Sequence, residues 1–208
     1  MRNQLDQKNI SLAKTLFHLR QNIDIHRIIG LNKSYLADTP LPSAFLGHLQ
    51  QQCLICIALD MCKVYEPQKR YPLNSIPGIL GALGKAEAPP EFDKEADKFC
   101  SKYGVKYCNS PESMQAVFTQ FLANHARAIE VMKTVRDKYA AHSEYSFSPD
   151  ALPSHNEFEL LWTFGRDFYE CISLGWIGVN PALFSRHASM SFFRHIESVT
   201  GKKLRFDF

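Results

Sequence analysis

The sequence has little that would predict a β-sheet, a membrane span or a strongly charged surface. It lacks convincing alternation of apolar and polar residues, so β-strands are not predicted. No apolar run approaches the roughly eighteen residues of a membrane span, and the polar start from Met1 to Lys8 does not resemble a signal peptide. The net charge is only +3, so the composition does not indicate a nucleic-acid binder. We expect a cytoplasmic protein with no membrane partner.

The sequence also lacks a complete set of metal ligands. Cys53 and Cys56 have the spacing of half a zinc site, but no second pair of cysteines with this spacing accompanies them. Both lie in an apolar helical run, which favours buried thiols. A cytoplasmic location further predicts that all six cysteines are reduced. We therefore predict neither a metal nor a cofactor.

What the sequence does contain is enough apolar surface for one core and a clear helical pattern. Its 208 residues are 45% hydrophobic and 12% aromatic, which predicts a single domain over 1–208. Apolar spacing and capping residues predict helices over 3–29, 43–65, 75–83, 91–103, 111–142, 155–177 and from 181 or 185 to 199. The predicted fold is all-α, a four-helix up-and-down bundle with an extra short helix and a C-terminal helix.

Two regions lie outside the predicted bundle. Residues 66–104 form a Pro/Gly-rich connector with room for short helices, of which the one over 91–103 is expected to pack loosely. Residues 181–208 hold the C-terminal helix and a basic tail with Lys202, Lys203 and Arg205, which we expect to be solvated. Neither region is expected to form a second domain.

One charged residue lies where the helical pattern predicts packing. On a helical wheel of residues 111–142 the apolar side chains form one broad face, with Arg136 in its middle and His142 at its edge. An unpaired buried guanidinium costs several kcal/mol. Arg136 must therefore meet a carboxylate, a polar cleft, a subunit interface or an anionic ligand.

Arg136 and His142 together supply two chemical functions. In a helix about 9 Å of rise and roughly 120° of rotation separate them, so both project to one side without direct contact. Arginine stabilises a phosphate bidentately, and histidine exchanges protons near neutral pH. Metal-independent cleavage of RNA requires both functions. If helices from two subunits cross here, two such pairs line one cleft.

The stretch from Arg136 to Ser143, Arg-Asp-Lys-Tyr-Ala-Ala-His-Ser, resembles the Arg-x(4–6)-His motif of the HEPN superfamily. It looks like the branch related to the U-type abortive-infection proteins of bacterial phage resistance, as does the segment with Tyr65 and Tyr71-Pro-Leu-Asn-Ser-Ile-Pro. The resemblance covers about residues 1–178. It implies a helical bundle that forms a homodimer, so that the motifs of two protomers face each other and cleave RNA without a metal.

The resemblance also implies a role for each matching residue. Arg136 would stabilise the pentacoordinate phosphate, and His142 would act as acid or base while a ribose 2′-hydroxyl attacks, which leaves a 2′,3′-cyclic phosphate. Asp137 occupies a polar position that is often Asn in active members, and an ionised carboxylate cannot donate to a phosphate. The chain would act in phage defence or as a toxin, with an antitoxin or accessory protein as a further partner. Tyr145 lies three residues after His142 rather than two, so regulation by modification of a tyrosine is not implied.

Two alternatives stay open. In the first, the same residues hold a dimer, an RNA or a nucleotide without cleavage. In the second, Arg136 pairs with a buried carboxylate and His142 caps its helix, where a cation contributes up to about 1 kcal/mol. His125, three turns before Arg136, is a candidate supporting residue, although a histidine in such a position is more often a satisfied core residue.

Overall fold

A computed structural model of the chain shows an all-helical protein, which confirms the predicted fold class. The structure describes residues 2–37, 43–67, 74–85, 87–106, 110–140, 152–181, 187–201 and 203–206. No β-strand occurs in these ranges. The helices within them, in chain order, are α1 Arg2–Leu31, α2 Lys33–Ala37, α3 Ser43–Tyr65, α4 Ile76–Leu83, α5 Pro90–Lys102, α6 Pro111–Asn124, α7 Ala126–Val135, α8 His155–Cys171 and α9 His187–Thr200.

Three of the helices begin at serine residues whose side chains cap them. Ser75 accepts a hydrogen bond from the backbone N–H of Gly78 at the start of α4. Ser110 caps α6 in the same way, and Ser154 forms a reciprocal capping box with Glu157 at the start of α8. Such caps contribute about 1 kcal/mol each. The helix starts predicted at these serines are therefore confirmed.

The long helix predicted over 111–142 is interrupted, and that prediction is wrong in its continuity. His125 separates α6 from α7 with φ −115° and ψ 19°, in the sparsely allowed region between helix and strand. Its N–H still reaches the carbonyl of Phe121, and its carbonyl still accepts from Ile129. His125 alone thus interrupts the helix, while the apolar residues before and after it keep their helical spacing. After Val135 the chain widens into a π-helical turn, Arg136–Ala140, and residues beyond it lie outside the described ranges.

Helix α1 runs through the middle of the fold and packs most extensively against α3 and α8. Helix α3 in turn packs against α7 and the π-helical turn that follows it. The main core lies among these elements, α4, α5 and α6, and an aromatic group from α3, α6 and α8 fills its centre. Phe121 and Phe164 stack there with ring centroids 3.8 Å apart.

Helix α5 belongs to this core, so the prediction that it packs loosely is wrong. Its residues Phe92 and Phe99 are buried, and the helix lies against a second π-helical turn, Ile172–Ile177, which continues α8. Gly175 permits this approach, because a Cβ atom there would lie 3.1 Å from the Cα atom of Phe92. The glycine is a close-packing position that the sequence pattern does not distinguish from a loop glycine.

A smaller core closes the other end of the molecule. Apolar residues of α1, α2, α3, α9 and the tail form it. Helix α2, which the sequence pattern missed, follows α1 after a turn at the buried Asn32. The Asn32 side chain donates to the carbonyl of Arg205 and accepts from its N–H, and Leu204 is buried. The tail backbone is therefore docked, while the side chains of Lys203 and Arg205 are exposed, as predicted, and Lys202 lies outside the described residues.

The cysteines divide into two states. Cys53, Cys56, Cys62 and Cys171 are free thiols, whereas Cys100 is disulfide-bonded. The prediction that all six are reduced is therefore wrong at Cys100. Two thiols bond only where the fold brings their Cα atoms within about 7 Å, and that distance is not visible in the sequence.

Candidate functional site

Arg136 opens the π-helical turn at the end of α7 and reaches the protein surface, with 26% of its side chain exposed. Its Nη1 atom donates to Glu66 Oε2 at 2.6 Å, and its Nε atom donates to Asp137 Oδ1 at 2.8 Å. From its place on the apolar helix face, we expected Arg136 to contact a carboxylate, a polar cleft, a subunit interface or an anionic ligand. Within one protomer it meets two carboxylates.

Glu66 is held in place by the end of α3. Its N–H donates to the carbonyl of Cys62 at 2.9 Å, which extends the helical hydrogen-bond pattern one residue past Tyr65. Because α3 packs against α7 and its π-helical turn, this brings the Glu66 carboxylate to Arg136 across 70 residues of sequence. The ion pair thus joins the ends of two helices, whereas the bond to Asp137 joins neighbours in one turn.

Both carboxylates keep the guanidinium charged. The hydrogen bond to Asp137, opposed by partial burial and supported by the bond to Glu66, raises the pKa of Arg136 above its usual value. Nearby, burial raises the pKa of the Cys62 thiol to about 11, although the positive charge of Arg136 acts against this rise. The site therefore holds a permanent cation beside a protonated thiol, and Cys62 has little nucleophilic character at neutral pH.

The guanidinium offers two forks for a bidentate anion, one formed by Nε and Nη2 and the other by Nη1 and Nη2. Asp137 accepts from Nε and so occupies one position of the first fork, whereas Glu66 accepts from one of the two N–H groups of Nη1. Among the residues that the structure describes, none accepts a hydrogen bond from Nη2. A phosphate can therefore bind through Nη2 directly. In the first fork it requires Asp137 to move, and in the second it would share Nη1 with Glu66.

Two lysines, one turn before Glu66 in α3 and one turn before Arg136 in α7, are also paired with carboxylates. Lys63 Nζ lies 2.8 Å from Asp60, and Lys133 Nζ lies 2.5 Å from Glu130. Asp60 and Lys63 also line a cleft of about 370 Å³ between α1 and α3. A polyanion must therefore compete with carboxylates for each of these two lysines.

Of the other predicted site residues that the structure describes, Asp137 lies beside Arg136 and His125 does not. Asp137 is 63% exposed beside Arg136, as its position in the sequence requires. His125 lies at the opposite end of α7, about 15 Å from Arg136 along the helix axis, with its ring 4.5 Å from that of Phe121. His142, the other predicted catalytic residue, and Tyr145 lie outside the described residues.

A second charged cluster, between α1 and α8, was not predicted. Arg20 is 2% exposed and bonds to Asp24, which has no exposed surface, and to Glu159 at 2.6 Å. Burial alone would lower the pKa of Arg20, but the hydrogen bonds to Asp24 and Glu159 raise it. The spacing of Arg20 and Asp24 four residues apart within an apolar face is the signal that would have indicated this pair.

Two histidines lie beside this cluster. The rings of His26 and His155 have centroids 5.4 Å apart, and neither Nδ1 atom has a hydrogen-bond partner within the described ranges. Burial, with the neighbouring His155, lowers the pKa of His26 to about 4. Burial and the charge of Arg27 lower the pKa of His155. Both imidazoles are therefore neutral near pH 7.

Fold and site together define an all-helical protein in which the partly exposed Arg136 is held by two carboxylates and Arg20 lies in a buried ion-pair network. No protein-family model, no curated protein and no solved structure matches the chain. In the described ranges, no helix is long and apolar enough to cross a membrane, and no three His, Cys, Asp or Glu side chains are grouped to hold a metal ion.

Proposed function

We propose that the chain is a HEPN-like, metal-independent endoribonuclease that acts in phage defence or as a toxin. Arg136 and His142 of two cytoplasmic protomers would line one cleft at the dimer interface. The observation that carries the proposal is the position of Arg136 at the start of a π-helical turn. Its side chain is charged and partly exposed, and its Nη2 atom donates to no acceptor among the described residues. Such turns are rare in proteins and occur frequently at functional sites.

The proposed reaction needs no group beyond RNA and the motif. The 2′-hydroxyl attacks the adjacent phosphorus, and its proton passes to a base. The bond from phosphorus to the 5′-oxygen then breaks, and that oxygen takes up a proton from an acid. His142 serves as the acid or base in this exchange, and Arg136 stabilises the negative charge on the phosphorane. The products are a 2′,3′-cyclic phosphate and a 5′-hydroxyl end.

The architecture that fits this proposal is a four-helix up-and-down bundle. Helices α1, α3 and α8 and the interrupted pair α6 and α7 would form it, with α4, α5 and α9 as additions. The packing of α1 against α3 and α8, and of α3 against α7, supports this arrangement. Arg136 would then lie at one end of the bundle, where a second protomer or an antitoxin or accessory protein can reach it.

Cleavage of single-stranded RNA in the presence of EDTA tests the proposal. Wild-type protein, with any accessory partner supplied, is expected to leave cyclic-phosphate ends, and His142→Ala is expected to reduce the rate by about 100-fold or more. His18→Ala, which removes an exposed histidine of α1, is the matched control and should retain the rate. Equal inactivity of wild type and His142→Ala on varied RNAs would refute the enzymatic proposal. Overexpression of the same variants provides the corresponding toxicity test.

The alternative is a HEPN-like module that dimerises or binds RNA or a nucleotide without cleavage. The pairing of Arg136 with both Glu66 and Asp137 favours it, because these carboxylates oppose a second anion. In this case Arg136→Ala should weaken dimerisation or binding of RNA or nucleotide, measured by sedimentation and fluorescence anisotropy, with no cleavage to lose. Unchanged assembly and binding in Arg136→Ala would contradict the alternative.

A further inference from the structure

We propose that Glu66 is an internal anion that binds the Arg136 guanidinium and competes there with a phosphate group. The inference rests on the proposed function, since the phosphate would be the phosphodiester of RNA. It adds a regulatory residue that lies 70 positions from Arg136 in sequence and outside the Arg136–His142 stretch.

Glu66 already binds the end of the Arg136 guanidinium. A bidentate anion at the end of the side chain uses Nη1 and Nη2 together. Glu66 Oε2 accepts a hydrogen bond from Nη1 at 2.6 Å and so takes one of the two N–H groups of that atom. A phosphate oxygen on the other N–H group of Nη1 would lie close to this carboxylate oxygen. Because the two oxygens carry the same sign of charge, they repel each other.

Glu66 is the less exposed of the two carboxylates that bind Arg136. Asp137 is 63% exposed, so water screens its charge. The side chain of Glu66 is 25% exposed, so its charge is screened less. We therefore expect Glu66 to oppose an incoming anion more strongly than its number of charges alone would suggest.

The contact of Glu66 with Arg136 is separate from its helical hydrogen bond. The backbone N–H of Glu66 donates to the carbonyl of Cys62, and the carboxylate takes no part in that bond. A quarter of the side chain is exposed to solvent. The carboxylate contact can therefore change while the helical hydrogen bond is kept, so it acts as a competitive gate on Arg136.

The test compares wild type and four variants with two probes. Glu66→Gln removes the charge but keeps an oxygen that can accept from Nη1, so the fold should be retained. Glu130→Gln makes the same substitution at a 68% exposed glutamate of α7, paired with Lys133, and controls for loss of one negative charge. Arg136→Met and the double variant Glu66→Gln/Arg136→Met show whether an effect passes through Arg136. The probes are inorganic pyrophosphate and a fluorescently labelled single-stranded RNA.

Glu66→Gln is expected to bind both probes about three- to tenfold more tightly than wild type, the range set by a partly exposed ion pair. Glu130→Gln should change affinity by less than about twofold, and the gain should vanish in the double variant. Pyrophosphate binding is measured by calorimetry and by the shift in melting temperature, and RNA binding by anisotropy.

The two probes separate failure of the gate from failure of the proposed function. If Glu66→Gln binds pyrophosphate no better than Glu130→Gln, the gate is refuted. It is also refuted if the gain in pyrophosphate affinity persists when Arg136 is replaced. Both conclusions hold whatever the RNA-binding result is. If Glu66→Gln gains affinity for pyrophosphate through Arg136 while RNA binding does not depend on Arg136, the gate stands and the RNA function fails.

Discussion

Arg136 and Arg20 each donate hydrogen bonds to two carboxylates, but they lie in different environments. Each guanidinium binds one carboxylate nearby in sequence and one from another helix, and in both cases the Nη1 to Oε2 distance to the remote glutamate is 2.6 Å. The exposed fraction of the side chain differs, at 2% for Arg20 and 26% for Arg136. The number of carboxylates around an arginine therefore does not distinguish a structural ion pair from an accessible site, whereas burial does.

Burial changes what the carboxylates do. Arg20 lies 5.0 Å from the centre of the Trp162 ring, and the side chain of Asp24 has no contact with solvent. No anion can reach that guanidinium without unfolding the α1 and α8 contact. At Arg136 the same kind of pair is open to water, so an incoming anion can exchange with a carboxylate. One network stabilises the fold, and the other can serve recognition.

The largest effect is expected from a substitution that breaks the buried network of Arg20, Asp24 and Glu159. Arg20→Met should lower the free energy of unfolding by about 3–5 kcal/mol, because it leaves the fully buried Asp24 without a cation. Urea denaturation at pH 7 measures this loss. The double variant Arg20→Met/Asp24→Leu should recover part of it, since the uncompensated charge is then removed. A loss below about 1 kcal/mol in Arg20→Met would contradict the structural role.

The free energy of unfolding should also depend on pH through His26, which lies beside the Arg20 cluster. Because the pKa of His26 is lowered to about 4 in the folded protein, the unfolded chain binds more protons than the folded one between about pH 6.5 and pH 4. The free energy of unfolding should therefore fall as pH falls through this window, by up to about 1.4 kcal/mol per pH unit. Urea denaturation at pH 6.5, 5.5 and 4.5 checks it. His26→Gln should show a shallower slope than wild type, and identical slopes would refute the assignment.

The smallest expected effect is at the exposed pair. Arg136→Met should change the free energy of unfolding by about 1 kcal/mol or less, because the partners Glu66 and Asp137 remain solvated when the cation is removed. The same urea experiment measures it beside Arg20→Met. If Arg136→Met is as destabilising as Arg20→Met, the Arg136 pair is a structural element and its proposed role in recognition loses support.

Much of the fold was predictable because its signals are local. Ser110 and Ser154 start helices where the capping pattern predicted them, since a cap involves only residues up to three positions apart. The need for Arg136 to find a partner was also predictable, because the apolar spacing around it is visible in the sequence. The identity of that partner was not, since Glu66 is 70 residues away and lies in the connector region.

The remaining features arise from contacts between distant segments. The break at His125 leaves the apolar spacing unchanged, and the docking of the tail on Asn32 joins residues 173 positions apart. The disulfide at Cys100 and the close approach at Gly175 likewise depend on which surfaces meet. None of these contacts can be recognised from the spacing of apolar residues in the sequence.

By itself, the sequence determined that this protein is helical, where several helices begin, and that one arginine lies on a packing face. Those properties follow from the spacing of apolar residues and from capping, which act within a few residues. Only the tertiary structure decided that Arg20 is sealed in the core while Arg136 is held at the surface by Glu66. Burial and ion pairing depend on three-dimensional distance, and the packing of α3 against α7 sets that distance.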